Sequence, residues 1–357
     1  MASPALKAGS RLYAGLFGAP ATLGLLMFLV IPFLMALALT FTNQKLMSPE
    51  SGEFVGLHNY ERVLAVTALV QSPQTDTSGA VVRDEAGNTV YPRVRDITRT
   101  VPKYDGFRPL ASFNVFENRI VVLARDPVFL KSLWNTFLFA LMVVPLQCGM
   151  ALALAMLVNS GLKGQTGLRA IYFSPVVMSM VVVSVVWAFL FNKDNGLLNQ
   201  LLAWVSFGAF EGIDWLGDEN TAMPSISLMS AWQGAGFQML IFLAGLQGIS
   251  NELYDAAKID GATPWQRFVN VTLPGLRHTI AFVVIVTTIA AFGLFTQIDV
   301  MTQGGPQDAT STVMFHAIQR GVREQDIAYG STVTVIYFVI IAAIAVIQQR
   351  YFAEKNT

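Results

Sequence analysis

The sequence predicts an all-α integral membrane protein with six transmembrane helices, and three observations lead there. Of its 357 residues, 54% are hydrophobic and only 13% charged, with a mean hydropathy of +0.52; an ordinary soluble domain carries about 25% charged residues. Six runs contain no charged residue at all, namely 12–44, 132–162, 170–192, 220–251, 279–298 and 327–349, and each exceeds the roughly 18 residues needed for a crossing of a hydrocarbon core about 30 Å thick. Between the fourth and fifth runs, finally, lies a polar island, 251–274, that carries its own helix start and stop signals.

Taken in order, residues 1–11 form a short basic start with Lys7 and Arg11, and 1–42 make up the N-terminus and first span. A cleavable leader is the competing reading, with Ala36-Leu37-Ala38 as a small-residue cleavage site. The uncharged run is far longer than the roughly 7–15 apolar residues of such a leader, which favours a retained span. Residues 43–131 are the one large hydrophilic section, an insert between spans one and two. Within it Ala80-Val81-Val82 and Thr89-Val90-Tyr91 flank an Asp/Gly/Asn-rich stretch, 84–88, as strand, turn and strand would; a disordered spacer is the alternative. The remainder, 132–357, reads as a five-span core. Cys148, the single cysteine, sits in the second apolar run as packing, so no disulfide or cysteine metal site exists within the chain.

The island 251–274 reads as two short helices. Ser250 or Asn251 caps the first, Glu252 places a carboxylate in its first turn, and Leu253, Ala256 and Ala257 share a face. Gly261 ends it as the residue that accepts left-handed geometry cheaply. Thr263, Pro264 and Gln266 supply a capping box and a first-position proline for the second helix, and Pro274 is expected to stop it.

Charge asymmetry gives an orientation. With the N-terminus in the cytoplasm, the inner segments hold Lys7, Arg11, Lys163, Arg169, Lys258, Arg267, Arg277, Arg350 and Lys355, while the short outer loops hold only Lys193, Arg320 and Arg323. This obeys the positive-inside rule, and the long insert is left out of the count because long loops translocate regardless of charge. Both termini and the island are therefore expected in the cytoplasm, and the insert outside.

Most catalytic chemistry is excluded. The stretch 161–167 has glycines, a lysine and a threonine in the wrong order for a phosphate-binding loop. His58, His278 and His316 fall in separate loops at no metal-ligand spacing. No catalytic residue, metal or cofactor is expected, and zero net charge leaves no basic footprint for nucleic acid. No Asp, Glu, Lys or Arg lies within a run, whereas proton- or voltage-driven machines need ionisable groups in the membrane; energy must come from a partner. A solute can be met only by uncharged groups. In the fourth run Ser230, Gly234 and Phe237 share a face at i, i+4 and i+7, with Trp232, Gln233 and Gln238 beside them; in the fifth, Thr287, Ala291 and Leu294 do likewise. The bland alternative is that Ser230 and Gly234 merely let helices approach.

The residues Asp255-Ala256-Ala257, Asp260-Gly261-Ala262, Trp265-Gln266, Phe268 and Thr272-Leu273-Pro274 resemble the cytoplasmic "EAA" loop of permease subunits of bacterial binding-protein-dependent ABC importers, in the form of the oligosaccharide, maltose-permease-like branch. Asp255 stands where that family usually has Glu. The resemblance continues in Gly56-Leu57-His58-Asn59-Tyr60, Asn135-Thr136, Phe173-x-Pro175 with Trp187, Gly196-Leu197-Leu198-Asn199, and Thr302-x-Gly304-Gly305-Pro306 with Thr310. It implies a sugar-translocating subunit of the bacterial inner membrane whose first loop helix, with Glu252, Asp255, Ala256, Ala257, Asp260, Gly261 and Ala262, couples to an ATPase. The implied partners are a second permease subunit, two ATP-binding cassette subunits, an extracytoplasmic sugar-binding protein and the lipid bilayer. The same machine serving a polyol or glycerol phosphate is the first rival, and a secondary carrier or channel the rival from another class.

Overall fold

The computed structural model describes residues 17–48, 52–76, 80–116, 118–161 and 164–354; Lys7, Arg11, Lys163 and Lys355 of the charge count lie outside them. Two compact units make up the chain, one of residues 1–127 and 317–336, the other of 128–316 and 337–357.

In the first unit, α1 (Phe17–Leu39) is an exposed apolar helix that ends at Thr40. The Gly-Leu-x-Asn-Tyr stretch explains itself here. Asn59, on α2 (His58–Leu64), donates through Nδ2 to the carbonyls of Thr40 and Thr42 at 3.0 and 2.7 Å, and the Tyr60 hydroxyl meets the Thr40 hydroxyl at 3.0 Å. The motif thus satisfies carbonyls that a helix end leaves without partners. A three-stranded antiparallel sheet follows, built from β1 (Val66–Gln71), β2 (Arg108–Val115) and β3 (Asn118–Ala124) in the order β1-β3-β2. Leu69, Val121 and Leu123 pack under α3 (Val94–Thr100) with Val94, Ile97, Tyr104 and Phe107. Regular strands form where β-branched residues run on, as in Val66–Gln71 and Asn118–Ala124. Around 84–88 only single bridges form, Thr75 to Val81 and Arg83 to Thr89, because the Asp84 carboxylate is spent on the amides of Ala86 and Asn88 and holds a turn.

The C-terminal part of this unit closes on its beginning. Arg62 pairs with Asp326 at 2.8 Å, the Tyr329 hydroxyl donates to the buried Asp126 carboxylate, and the guanidinium of Arg62 lies 4.6 Å from the Tyr329 ring centre. The Leu46 amide donates to the Gln325 carbonyl and the Ala328 amide to that of Gln44. Gly321 and Gly330 touch backbone to backbone, so closely that a Cβ on Gly330 would lie 2.5 Å from the Gly321 Cα.

The second unit is helical. Its elements are α4 (Pro127–Asn159), α5 (Gln165–Val177), α6 (Met180–Leu190), α7 (Leu197–Val205), α8 (Ala222–Gln247), α9 (Asn251–Ile259), α10 (Pro264–Gly275), α11 (Arg277–Phe292), α12 (Thr296–Met301), α13 (Val313–Ile318) and α14 (Ile327–Glu354), the last two shared with the first unit. Among the described residues four helices are long and apolar enough to cross a membrane: α1, α4, α8 and α14. The third and fifth runs are bent pairs, α5–α6 at 97° and α10–α11 at 68°, and the number reaches six when each pair is one span. The first bend follows Pro175, where Met178 and Ser179 turn extended. The sequence predicts a stop at Pro274, but the helix runs through it to Gly275. Helix α10 passes through a π-turn at Phe268–Thr272 and breaks four residues later, at Leu276; the wider turn absorbs the amide that proline lacks.

Small residues set the packing between helices. A Cβ on Gly236 of α8 would overlap the backbone carbonyl of Tyr172 on α5, and one on Gly245 would lie 2.6 Å from the Thr279 hydroxyl of α11. Ala151, Ala155, Ala235, Met239, Phe242, Leu246, Leu276 and Val283 fill the resulting core. The Asn135-Thr136 pair belongs to this framework too. Asn135 donates to the carbonyls of Asp308 and Ser311 at 2.8 and 2.9 Å, and the Thr136 hydroxyl accepts from the Val313 amide at 3.1 Å.

Candidate functional site

Helices α4, α8, α11 and α12, with Val176 of α5 and Met180 of α6, line a cavity of about 310 Å³ in the second unit. Ser230, Gln233, Gly234, Phe237, Gln238 and Thr287 all line it, so the faces read from helical spacing in the fourth and fifth runs do come together. Ala291 and Leu294 line it as well. Trp232 does not. Its ring lies 5.5 Å from that of Trp187, in a separate cluster with Phe191 and Met229, because it leaves α8 on the side opposite Gly234.

Two amides were not foreseen, Gln147 on α4 and Gln297 on α12. Gln147 interrupts an otherwise apolar stretch, and a polar residue inside a span is itself a signal. It sits against Gly234, where a Cβ would collide with the Gln147 amide group. The glycine is therefore what admits this side chain to the cavity wall.

The polar inventory of the wall is Gln147, Ser230, Gln233, Gln238, Thr287 and Gln297, with no ionisable group. Gln238 donates to the Thr287 hydroxyl at 3.2 Å, and Gln233 donates to the Pro175 carbonyl at 3.4 Å. The Ser230 hydroxyl and the Gln238 carbonyl oxygen are buried without a partner. A buried polar atom left unpaired costs about 1–3 kcal/mol, so these two atoms retain hydrogen-bonding capacity at the cavity wall.

At the other functional candidate, α9 begins with Ser250 as cap, its hydroxyl accepting from the Glu252 amide at 3.2 Å. Gly261 follows the helix with φ +75°, and the Ala262 amide returns to the Ala257 carbonyl at 2.9 Å. Thr263 and Gln266 form the full capping box of α10, and the hydroxyls of Tyr254 and Thr272 meet at 3.0 Å, tying the two helices together. Glu252, Asp255, Ala256 and Asp260 are exposed, as are Leu253, Trp265 and, at 87%, Ile259. Asp255 pairs with Lys258 of its own helix at 2.8 Å, a surface contact worth under about 1 kcal/mol and so readily exchanged for another partner.

A family model described as the binding-protein-dependent transport system inner membrane component matches residues 121–356. The chain belongs to this family. It is a transport permease subunit, a multi-pass protein of the inner membrane. The permease is 34% identical over 246 residues to the sulfoquinovosyl glycerol transport system permease protein SmoG of Agrobacterium fabrum, covering 69% of this chain and 79% of that one. It is also 34% identical over 271 residues to the lactose transport system permease protein LacF of Rhizobium radiobacter, covering 75% and 89%. A crystal structure of a bacterial ABC transporter involved in the import of the acidic polysaccharide alginate shares the fold, with a TM-score of 0.66 at 17% identity over 98% of this chain and 97% of that one.

Proposed function

We propose that this permease forms the translocation path for a neutral sugar or oligosaccharide, delivered by an extracytoplasmic binding protein. The observation that carries this is the cavity wall of four glutamines, a serine and a threonine, with Phe237 as an aromatic platform and no charge. Hydroxyl groups exchange hydrogen bonds with amides in both directions, whereas a phosphate ester in a dry, uncharged wall would find no cation to neutralise it. The relative named for lactose transport supports a neutral glycosidic solute. Uptake by the complete complex in proteoliposomes tests it. Saturable transport of a neutral saccharide is expected; transport confined to phosphorylated or cationic solutes would overturn it.

In this reading each bent pair crosses the membrane once, giving six spans with both termini cytoplasmic. A second permease subunit completes the path, and α9 seats on one of two ATPase subunits. Its exposed Leu253 and Ile259 beside Glu252 and Asp255 suit a groove with an apolar floor and a basic rim. Gly261→Val tests the coupling. No side chain crowds that position, so the effect comes from the backbone alone: a β-branched residue at φ +75° costs of order 1–3 kcal/mol and should swing α9 relative to α10. The complex should still assemble, while binding-protein-stimulated ATP hydrolysis and uptake fall together. Full activity of both would show that the turn does not position α9.

Within the insert, residues 71–125 are taken as an extracytoplasmic docking element for the binding protein. Its exposed Arg83, Arg95 and Arg99 are suited to steering, which raises association rates more than affinity. Changing all three to Ser should weaken stimulation at low binding-protein concentration, with recovery at saturation. A stimulation curve that overlays the parent's at low and moderate salt would make the insert a spacer.

A further inference from the structure

Helix α7, LLNQLLAWV, carries apolar residues on most of its surface, with Asn199 and Gln200 together on the remainder, and Asn199 is its one buried residue. Inward, Leu198 packs with Trp187, Phe191 and Trp215. Buried Asn199 accepts from the Trp215 indole at 2.8 Å and donates to the carbonyls of Lys193 and Ile213. Outward stand Leu197, Leu201, Trp204 and Val205, all exposed, with Phe207 beyond the helix end exposed at 99%. At 100° per residue the four helical positions fall within about one third of the circumference. Phe207 extends the patch from a left-handed conformation, φ +54°, directly before Gly208 at φ +85°.

We propose that this face lies in the membrane interface, at the acyl-headgroup boundary of the leaflet where α6 ends. Two observations choose lipid over a protein partner. Helix α6 likewise turns apolar residues outward, Val182, Val186 and Phe189, and α7, beginning seven positions after Leu190, packs back against the end of α6 through Leu198 with Trp187 and Phe191. None of the five patch residues is charged, and Lys193 pairs with Asp214 at 3.6 Å. Trp204 is the residue type that concentrates at such boundaries. An amphipathic segment lying in the plane of the interface holds the loop 192–221 down on the membrane and so fixes the outer edge of the Trp187–Trp232 cluster.

The inference rests on α6 being within the membrane, and the experiment separates the two. Nitroxide-labelled single cysteines at Leu201, Val205 and Phe189, each in a Cys148→Ser background of the complete complex in lipid nanodiscs, are compared for relaxation by oxygen and by a water-soluble nickel chelate. Oxygen should dominate at all three. If oxygen dominates at Phe189 but the nickel chelate at Leu201 and Val205, the face is wet and the proposal is wrong. If neither reagent reaches Leu201 and Val205, a protein covers the face, which equally overturns it. A nickel-dominated Phe189 would instead refute the membrane placement of α6.

Discussion

Gln238→Leu is expected to cut solute uptake about tenfold while leaving the complex at least as stable as the parent. The two effects have opposite signs because of one atom. The Gln238 carbonyl oxygen is buried with no partner, and replacing such a group by an apolar one of similar size is neutral or stabilising. The Thr287 hydroxyl, which loses its 3.2 Å contact with Gln238, can turn to a carbonyl one helical turn back. If the free oxygen serves the solute, the variant loses one hydrogen bond in transit, about 1.4 kcal/mol or a factor of ten. Thermal unfolding of the purified complex and initial uptake rates give the two readings. A variant that transports normally would remove Gln238 from the path; one that simply unfolds earlier would make it structural.

Gly236→Val should be far more damaging, and by another route. The obstacle at this site is the backbone carbonyl of Tyr172, which cannot rotate aside as a side-chain tip can. Overpacking of this kind costs about 1–3 kcal/mol where side chains yield, and here α5 and α8 must separate as bodies. Loss of the assembled complex on size-exclusion chromatography is expected, with Gly236→Ala intermediate. Normal assembly of the valine variant would mean that α5 and α8 have more room than their present contact.

The parts of the fold that were legible in the sequence are those fixed by local chemistry. Thr263, Pro264 and Gln266 specify a capping box within four residues, and Gly261 marks its turn without help from distant residues. The sheet was misplaced for the same reason: Ala80–Val82 and Thr89–Tyr91 look like strands locally, but the ladder went to Val66–Gln71 and Asn118–Ala124, which are some fifty positions apart. Pairing at that separation leaves no short-range signature. The cavity stood halfway. Periodicity along α8 brought out Ser230, Gly234 and Phe237, but Gln147 reaches the same wall from a helix eighty-odd residues earlier. Trp232 was misjudged because aromatic character says nothing about which side of a helix faces the cavity.

The closure of residues 317–336 onto the first 127 has a consequence for biosynthesis. The two parts of that unit are separated by 190 positions, from Pro127 to Ala317, and the contacts of Arg62, Asp126 and Gln44 wait for Asp326, Tyr329 and Ala328. At roughly 5–20 residues per second, the intervening chain takes about 10 to 40 s to synthesise. Throughout that interval the Asp126 carboxylate lacks its tyrosine, and the sheet has no anchor at the head of α14. The segments around Gln44, Arg62 and Asp126 are thus made early and reach their final surroundings late, which widens the interval in which a quality-control protease could sample them.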